Sequence, residues 1–255
     1  MMIDNSVYTF GTVPEVYSRL LDDAPHILIA GATGSGKSVC INGLIYTALY
    51  RDIDLVLIDP KRVELVKYRP IATVYADDPE SAENALNRVL WLIDDRYKRM
   101  QKERLTESRE KAVYVIIDEL ADLLMSSKTA RKTLVRILQV GRASNVHVIA
   151  ATQVVLAKIL STELLVNCDY KIALRTATKA HSRLIIGEGG AECLPFPKVA
   201  GYAEMLISEA GIVQKYSMPK IPAETLDEVI EYRIRERMMG KPQKLTLWAK
   251  IKSLF

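Results

Sequence analysis

Residues 31–38 hold three glycines, a lysine and two serines at a spacing that suits one task. Gly31-Ala32-Thr33-Gly34-Ser35-Gly36-Lys37-Ser38 matches GxxxxGK[ST], after the apolar run "HILIAG" (26–31) and before a helical pattern from Lys37 to Tyr50. Glycine lets the backbone curl until successive N–H groups point at phosphate oxygens, and the helix that follows adds the positive end of its dipole. In such a turn the lysine, Lys37, reaches the β- and γ-phosphates, and the Ser38 hydroxyl ligates Mg²⁺. Gly31 through Val39 are therefore the candidate ATP-binding residues, with ATP and Mg²⁺ as the expected ligands.

Hydrolysis needs more than a cradle. "VYVIIDELADLL" ends an apolar run in Asp118, which can hold the magnesium through water. Glu119 comes next, at a strand's C-terminal end, where ligands gather in open α/β sheets. A glutamate there can polarise an attacking water, which favours hydrolysis over a kinase-type transfer. The bland alternative is that Asp-Glu caps the helix at "ELADLL". "VHVIAATQ" ends in Thr152 and Gln153; the glutamine side chain can bond the γ-phosphate or the water, or merely cap the strand. "DLVLIDPKRVEL" also ends on the ligand side, bringing Asp59 and Lys61 near; a turn at Asp59-Pro60 explains them equally well.

These groups must stand on buried strands. Apolar β-rich runs occur at 26–31, 54–60, 72–76, 112–118, 146–152, 170–176 and 201–207. Helical patterns separate them at 37–50, 79–106, 127–141 and 179–186, with a short one at "VPEVYSRLL" and a last one in "ETLDEVIEYRIRERMM". Runs that are apolar throughout, rather than alternating, predict burial on both faces and so a mostly parallel sheet flanked by helices. The expected division is a lead-in at 1–23, an ATPase domain at 24–218, and a C-terminal helix with a basic-apolar tail at 219–255.

Lys+Arg 35 against Asp+Glu 31 gives a net charge of +4, too mild to imply a polyanion partner, so any basic surface is local. Three scattered cysteines outside any CxxC spacing argue against a metal site and suit a reduced, cytoplasmic setting. The longest apolar runs are far shorter than the roughly 18 residues of a membrane helix. "RYKRMQKERLTESREK" (96–111) reads as a solvated helix end; Trp91 and Tyr97 read as core, and His147 as a satisfied core histidine. The glycines of "EGGAE" read as a turn. In the tail, "KLTLWAKIKSLF" mixes Lys244, Lys250 and Lys252 with large apolar residues. Packing on its own domain, binding a partner or lying on an anionic surface all stay open, with membrane contact the least favoured.

Together, "PHILIAGATGSGKSVCIN", "LVLIDPKRVELVKY", "NALNRVLWLIDDRYKRM", "VIIDELADLL", "GRASNVHVIAATQ" and "SRLIIGEGGAE" resemble the FtsK/SpoIIIE family of DNA translocases, in unbroken order from about Pro25 to Met205. The resemblance implies a RecA-like P-loop motor that assembles as a hexameric ring around double-stranded DNA. Its active site would lie between subunits: Lys37, Ser38, Asp118, Glu119 and Gln153 from one, and an arginine from the next. The family's arginine falls on Arg142, with Arg183 a second candidate; each could instead serve its own subunit. Lys179 matches the lysine of a pore-facing loop, unless it is merely solvated.

Two departures qualify the likeness. The family's Arg-Pro after the glutamine is Val154-Val155 here, leaving Lys158 as the nearest base for DNA. Neither a membrane-spanning region nor a winged-helix module is recognisable in the sequence, so the expectation is a minimal motor of a mobile element, plasmid or phage, with a fragment of a longer protein as the alternative. The competing expectation is an ATP-switched coupling or adaptor protein that hydrolyses slowly and recruits a relaxase or another DNA-processing partner.

Overall fold

In the computed structural model, which describes residues 13–200 and 203–239, the apolar runs form a single eight-stranded sheet. Its strands are β1 (His26–Ala30), β2 (Asp54–Ile58), β3 (Val74–Ala76), β4 (Val113–Ile117), β5 (Val146–Thr152), β6 (Tyr170–Ala173), β7 (Ala203–Glu209) and β8 (Ile212–Met218). The spatial order is β3-β2-β4-β5-β1-β6-β7-β8; the first six run parallel, β7 pairs antiparallel with β6, and β8 pairs antiparallel with β7.

The reason the central strands read as unbroken apolar runs is now visible. Side chains alternate across a strand, and each face meets its own helical layer. Leu28, Val56, Val115, Ile117 and Val148 face α3 (Pro79–Glu103), α4 (Leu120–Ser126) and α5 (Lys128–Val140). Ile27, Leu57, Tyr114, Ile116 and Ile149 face α1 (Glu15–Asp23), α2 (Lys37–Tyr50) and α9 (Ala223–Met238). Three short helices, α6 (Thr162–Val166), α7 (Lys179–Ile186) and α8 (Pro197–Ala200), lie between β5 and β7.

The first and last described helices, α1 and α9, both join this second layer. Tyr17, Leu20 and Leu21 of α1 and Leu226, Val229 and Ile230 of α9 are buried in the same core as α2. Arg233 Nε donates to Leu49 O (3.0 Å), which also accepts from Asp52 N–H (3.1 Å), and Arg237 Nη1 donates to Pro70 O (2.9 Å), so α9 is tied to the end of α2 and to the segment before β3.

The structure corrects several expectations. Trp91 is 44% exposed on α3 and packs in no core, whereas Tyr97 is half-buried against it and donates to Val140 O at 3.1 Å. The 96–111 stretch is not simply solvated. Arg96 is buried and donates to Ser144 O (2.7 Å), Asn145 O (3.1 Å) and Lys111 O (2.7 Å), tying α3 to the chain that enters β4 and β5. β8 was not anticipated, because most of its side chains face solvent and it has no apolar run. Ala210 (φ 48°) and Gly211 (φ 84°), both left-handed, close its hairpin with β7, as a tight two-residue turn requires. His147 is half-buried, stacks on Tyr114 at 4.8 Å and has partners for both ring nitrogens, Pro25 O (3.1 Å) and Asn145 Oδ1 (2.8 Å). The basic-apolar tail falls outside the described residues.

Candidate functional site

The strand order sets the site. Because β2, β4, β5 and β1 are neighbours in near-equal register, the residues just past their carboxyl ends line up along one edge: Asp59, Asp118, Thr152-Gln153 and Gly31. The glycine turn bends where only glycine is relaxed, with Gly34 at φ 76° and Gly36 at φ 101°. Gly31 is needed for close approach, since a Cβ there would lie 2.6 Å from Ser35 Oγ and 2.7 Å from Leu174 Cβ. Ala32 N–H donates to Arg175 O (2.8 Å), which ties the turn to the chain beyond β6.

Lys37 opens α2 and is buried against the acids of β4. Its Nζ donates to Asp118 O (3.3 Å) and lies 3.8 Å from Asp118 Oδ1 and 3.5 Å from Glu119 Oε2. Glu119 stands at the cap position of α4, yet its carboxylate makes no capping bond. It accepts instead from the Thr152 hydroxyl (Oε1, 2.7 Å), from Gln153 N–H (Oε1, 3.1 Å) and from Lys61 Nζ (Oε2, 3.4 Å). The helix-cap reading of Asp118-Glu119 therefore does not describe where this charge is used.

The two neighbouring acids are pushed in opposite directions. Burial raises Asp118 to about 6, against the pull of Lys37 and with help from the charges of Glu64, Asp59 and Glu119. Burial also opposes the charge on Glu119, but the Thr152 hydroxyl, Lys37, Gln153 N–H and Lys61 outweigh it and hold that carboxyl below the ordinary glutamate range. Such a pair can divide labour, with one acid neutral or cation-bound and the other an ionised base.

A magnesium ion prefers oxygen ligands and keeps several waters, relying on substrate phosphates for the rest. The donor set fits it: Asp118 Oδ1 is buried without a hydrogen-bond partner, and the half-buried Ser38 follows Lys37 at the start of α2. Among the described residues no cluster of three or more His, Cys, Asp or Glu could hold a metal unaided. Asp59 has a structural task as well: its buried Oδ2 accepts from Leu65 N–H (3.0 Å) and the Tyr75 hydroxyl (3.2 Å), shaping the segment that carries Lys61.

Gln153 is exposed, and its Oε1 accepts from the Thr33 hydroxyl at 2.9 Å, linking the glycine turn to the end of β5. Lys37, Ser38, Asp118, Glu119 and Gln153 thus converge. Arg142 does not join them. It precedes the first residue of β5, at the opposite edge of the sheet, exposed and without an ion pair among the described residues. It lines a cavity of about 320 Å³ with Asp22, Asp23, Glu107, Asn145 and His147. Burial, the nearby His147 and the Arg142 charge together lower His26 to about 3.

Arg183 and Lys179 lie exposed on α7, whose Thr178 hydroxyl accepts from His181 N–H (3.2 Å) as a helix cap. A Cβ at Gly189 would meet the Lys179 stem at 2.7 Å, so the glycine turn after α7 makes room for that side chain. Lys158 is exposed in the segment after β5, but its neighbours Val155, Ile159 and Leu160 are buried.

The residue that sequence reasoning left without a role is Lys61, which touches both Glu119 and Asp122 (Oδ2, 3.7 Å). Its only sequence signal is its position three residues past the end of β2, a strand that neighbours β4.

Comparison with known proteins bears on the family and the fold. The FtsK/SpoIIIE family profile matches residues 7–112 and 101–156. "DNA translocase FtsK" of Bacillus cereus is 33% identical over 246 residues, covering 85% of this chain and 30% of the relative. The protein of the same name from Staphylococcus epidermidis is 37% identical over 213 residues, covering 73% and 26%. The chain thus spans less than a third of these relatives' length. Among solved structures, the pCW3 conjugation coupling protein TcpA, in monomer form with ATPγS, superposes with TM-score 0.74 at 20% identity, covering 84% of this chain and 66% of that one. EssC (ATPases 2 and 3) of Geobacillus thermodenitrificans gives 0.71 at 19% identity, covering 87% and 46%. At these identities the likeness speaks for the fold, that of a P-loop NTPase.

Proposed function

Because the chain belongs to the FtsK/SpoIIIE family, we propose that it is an ATP-hydrolysing motor domain that moves along double-stranded DNA as a homo-oligomeric ring, a hexamer, of a plasmid, phage or other mobile element. The observation that carries this reading is the contact of Lys37 with both Asp118 and Glu119 beneath the glycine turn. ATP with Mg²⁺ supplies the energy and the charge neutralisation. The chain's own residues do the rest. Gly31 to Val39 wrap the phosphates with backbone N–H groups, and Lys37 exchanges its carboxylate partners for phosphate oxygens. Ser38 and Asp118 hold the metal, Glu119 takes the proton of the attacking water, and Gln153 relays the state of the γ-phosphate along β5.

Arg142, exposed and unpaired at the far edge, suits action on a neighbour's nucleotide, with Arg183 as the second candidate. Lys179 and Lys158 are the proposed DNA contacts. Phosphate release with and without duplex DNA, alongside light scattering, tests the reading. Duplex DNA should stimulate hydrolysis, and ATP, Mg²⁺ and DNA together should drive assembly. Lys37→Ala should abolish turnover. Mixing inactive Arg142→Ala with inactive Lys37→Ala should restore part of the activity, because some mixed interfaces would hold both intact residues. Hydrolysis by a monomer indifferent to DNA would refute the motor.

One observation favours a second reading. The segment after Gln153 tucks Val155, Ile159 and Leu160 into the protein rather than offering a basic loop. That suits an ATP-switched adaptor that recruits a relaxase or other DNA-processing partner; slow hydrolysis unaffected by Arg142→Ala would select it.

A further inference from the structure

We propose that Lys61 is a latch on Glu119: it occupies the one carboxylate oxygen left for an attacking water and withdraws to Asp122 when hydrolysis is triggered. The proposal rests on the hydrolytic reading above and adds a control to it.

The two oxygens of Glu119 are used differently. Oε1 is committed to the Thr152 hydroxyl (2.7 Å) and Gln153 N–H (3.1 Å), short bonds from the end of β5 that fix the carboxylate plane. Oε2 has longer contacts: Lys61 Nζ at 3.4 Å, Lys37 Nζ at 3.5 Å and the same Gln153 N–H at 3.3 Å. A carboxylate that takes a proton from water needs an open lone pair, so Oε2 is the productive oxygen. Lys37 vacates it once phosphates provide a stronger anionic partner. Lys61 then remains as the cation on it.

Lys61 is built differently from Lys37. Its side chain is 44% exposed, whereas that of Lys37 is 6% exposed. The segment carrying it is pinned at both ends: Asp59 Oδ2 accepts from Leu65 N–H, and Arg62 Nε donates to Asp77 O at 3.0 Å. The backbone is held while the lysine stem is free to turn. Its second acceptor is already at hand, since Asp122 Oδ2 in the first turn of α4 lies 3.7 Å from Nζ and its side chain is 38% exposed. A rotation of side-chain torsions thus frees Oε2 without leaving an ammonium unpaired, and half-exposed ion pairs exchange at little cost. A lysine required to orient Glu119 would be redundant here, because Thr152 and Gln153 already do so.

The test compares Lys61→Gln, Lys61→Arg and Asp122→Asn with the wild-type chain, measuring phosphate release with and without duplex DNA and binding of a fluorescent ATP analogue. Loss of the latch should raise the DNA-independent kcat about three- to tenfold, the effect of removing one partly screened charge-assisted bond, with KM and nucleotide affinity unchanged. Lys61→Arg should restore the wild-type rate. Asp122→Asn, which weakens the second acceptor, should lower the DNA-stimulated kcat. Thermal melting checks that each variant folds. A Lys61→Gln kcat equal to or below wild type, with normal nucleotide binding, overturns the latch alone. A wild-type chain that fails to bind the analogue overturns the functional reading and the latch with it.

Discussion

Arg96 offers the sharpest test of how the sheet's far edge is held. Its guanidinium donates to three carbonyls, those of Ser144, Asn145 and Lys111. Asn145 O also accepts from Val113 N–H (3.1 Å), so it would keep a partner if the arginine were lost. Lys111 O and Ser144 O would be left facing an apolar side chain in Arg96→Met. Each stranded buried acceptor costs roughly 1–3 kcal/mol, and the packing of the stem is largely kept by methionine, so the expected loss is about 3–5 kcal/mol. That is a large share of the 5–15 kcal/mol typical of a folded domain. Arg96→Lys, able to serve only part of this set, should lose about half as much. Urea unfolding followed by circular dichroism measures both, with the midpoint falling and the slope unchanged. Because Ser144 and Asn145 end the turn that carries Arg142, a folded Arg96→Lys variant should also lose catalytic output if Arg142 acts as proposed. A shift below about 1 kcal/mol for Arg96→Met would refute the reasoning, since the carbonyls would then have found water or other donors at no cost.

Glu119→Gln keeps the volume and the Thr152 contact but removes the proposed base; nucleotide binding should survive while hydrolysis falls by about 10²–10⁴-fold in a phosphate-release assay. Stability should depend on pH through two histidines: His26 is lowered to about 3 and His147 to about 4, chiefly by burial. Both fold as neutral rings, so the unfolded chain binds more protons below the ordinary 6.5. The stability from this source is complete above that pH and drains as pH falls towards 4, by up to about 1.4 kcal/mol per unit for each ring; denaturation midpoints between pH 7 and 4.5 follow it, and a His26→Gln, His147→Gln pair should flatten the slope. Trp91→Ala should shift stability by no more than about 0.5 kcal/mol, against about 3–5 kcal/mol for a core tryptophan, and thermal melting distinguishes the two.

Much of the site was legible because its chemistry is local. The glycine turn needs left-handed backbone at Gly34 and Gly36 and close approach at Gly31, and each demand is written in one residue type at one spacing. The central strands were legible for a similar reason: burial on both faces leaves no polar position, so β1, β2, β4 and β5 appear as unbroken apolar runs. β8 was hidden because a mostly solvent-facing strand looks like any polar segment. Arg96 was hidden because a buried arginine and a solvated one are spelled the same, and Trp91 misled in the opposite sense.

From sequence alone came the phosphate cradle, the acids at the end of β4 and the glutamine at the end of β5, since strand-end positions follow from where each apolar run stops. Only the tertiary structure decided which of these ends are neighbours. The order β2-β4-β5-β1 sets Lys61 beside Glu119, Thr152 beneath it, and Arg142 at the opposite edge. Distances of 3–4 Å between residues tens of positions apart depend on how strands pair and twist, and no local pattern of side chains encodes them.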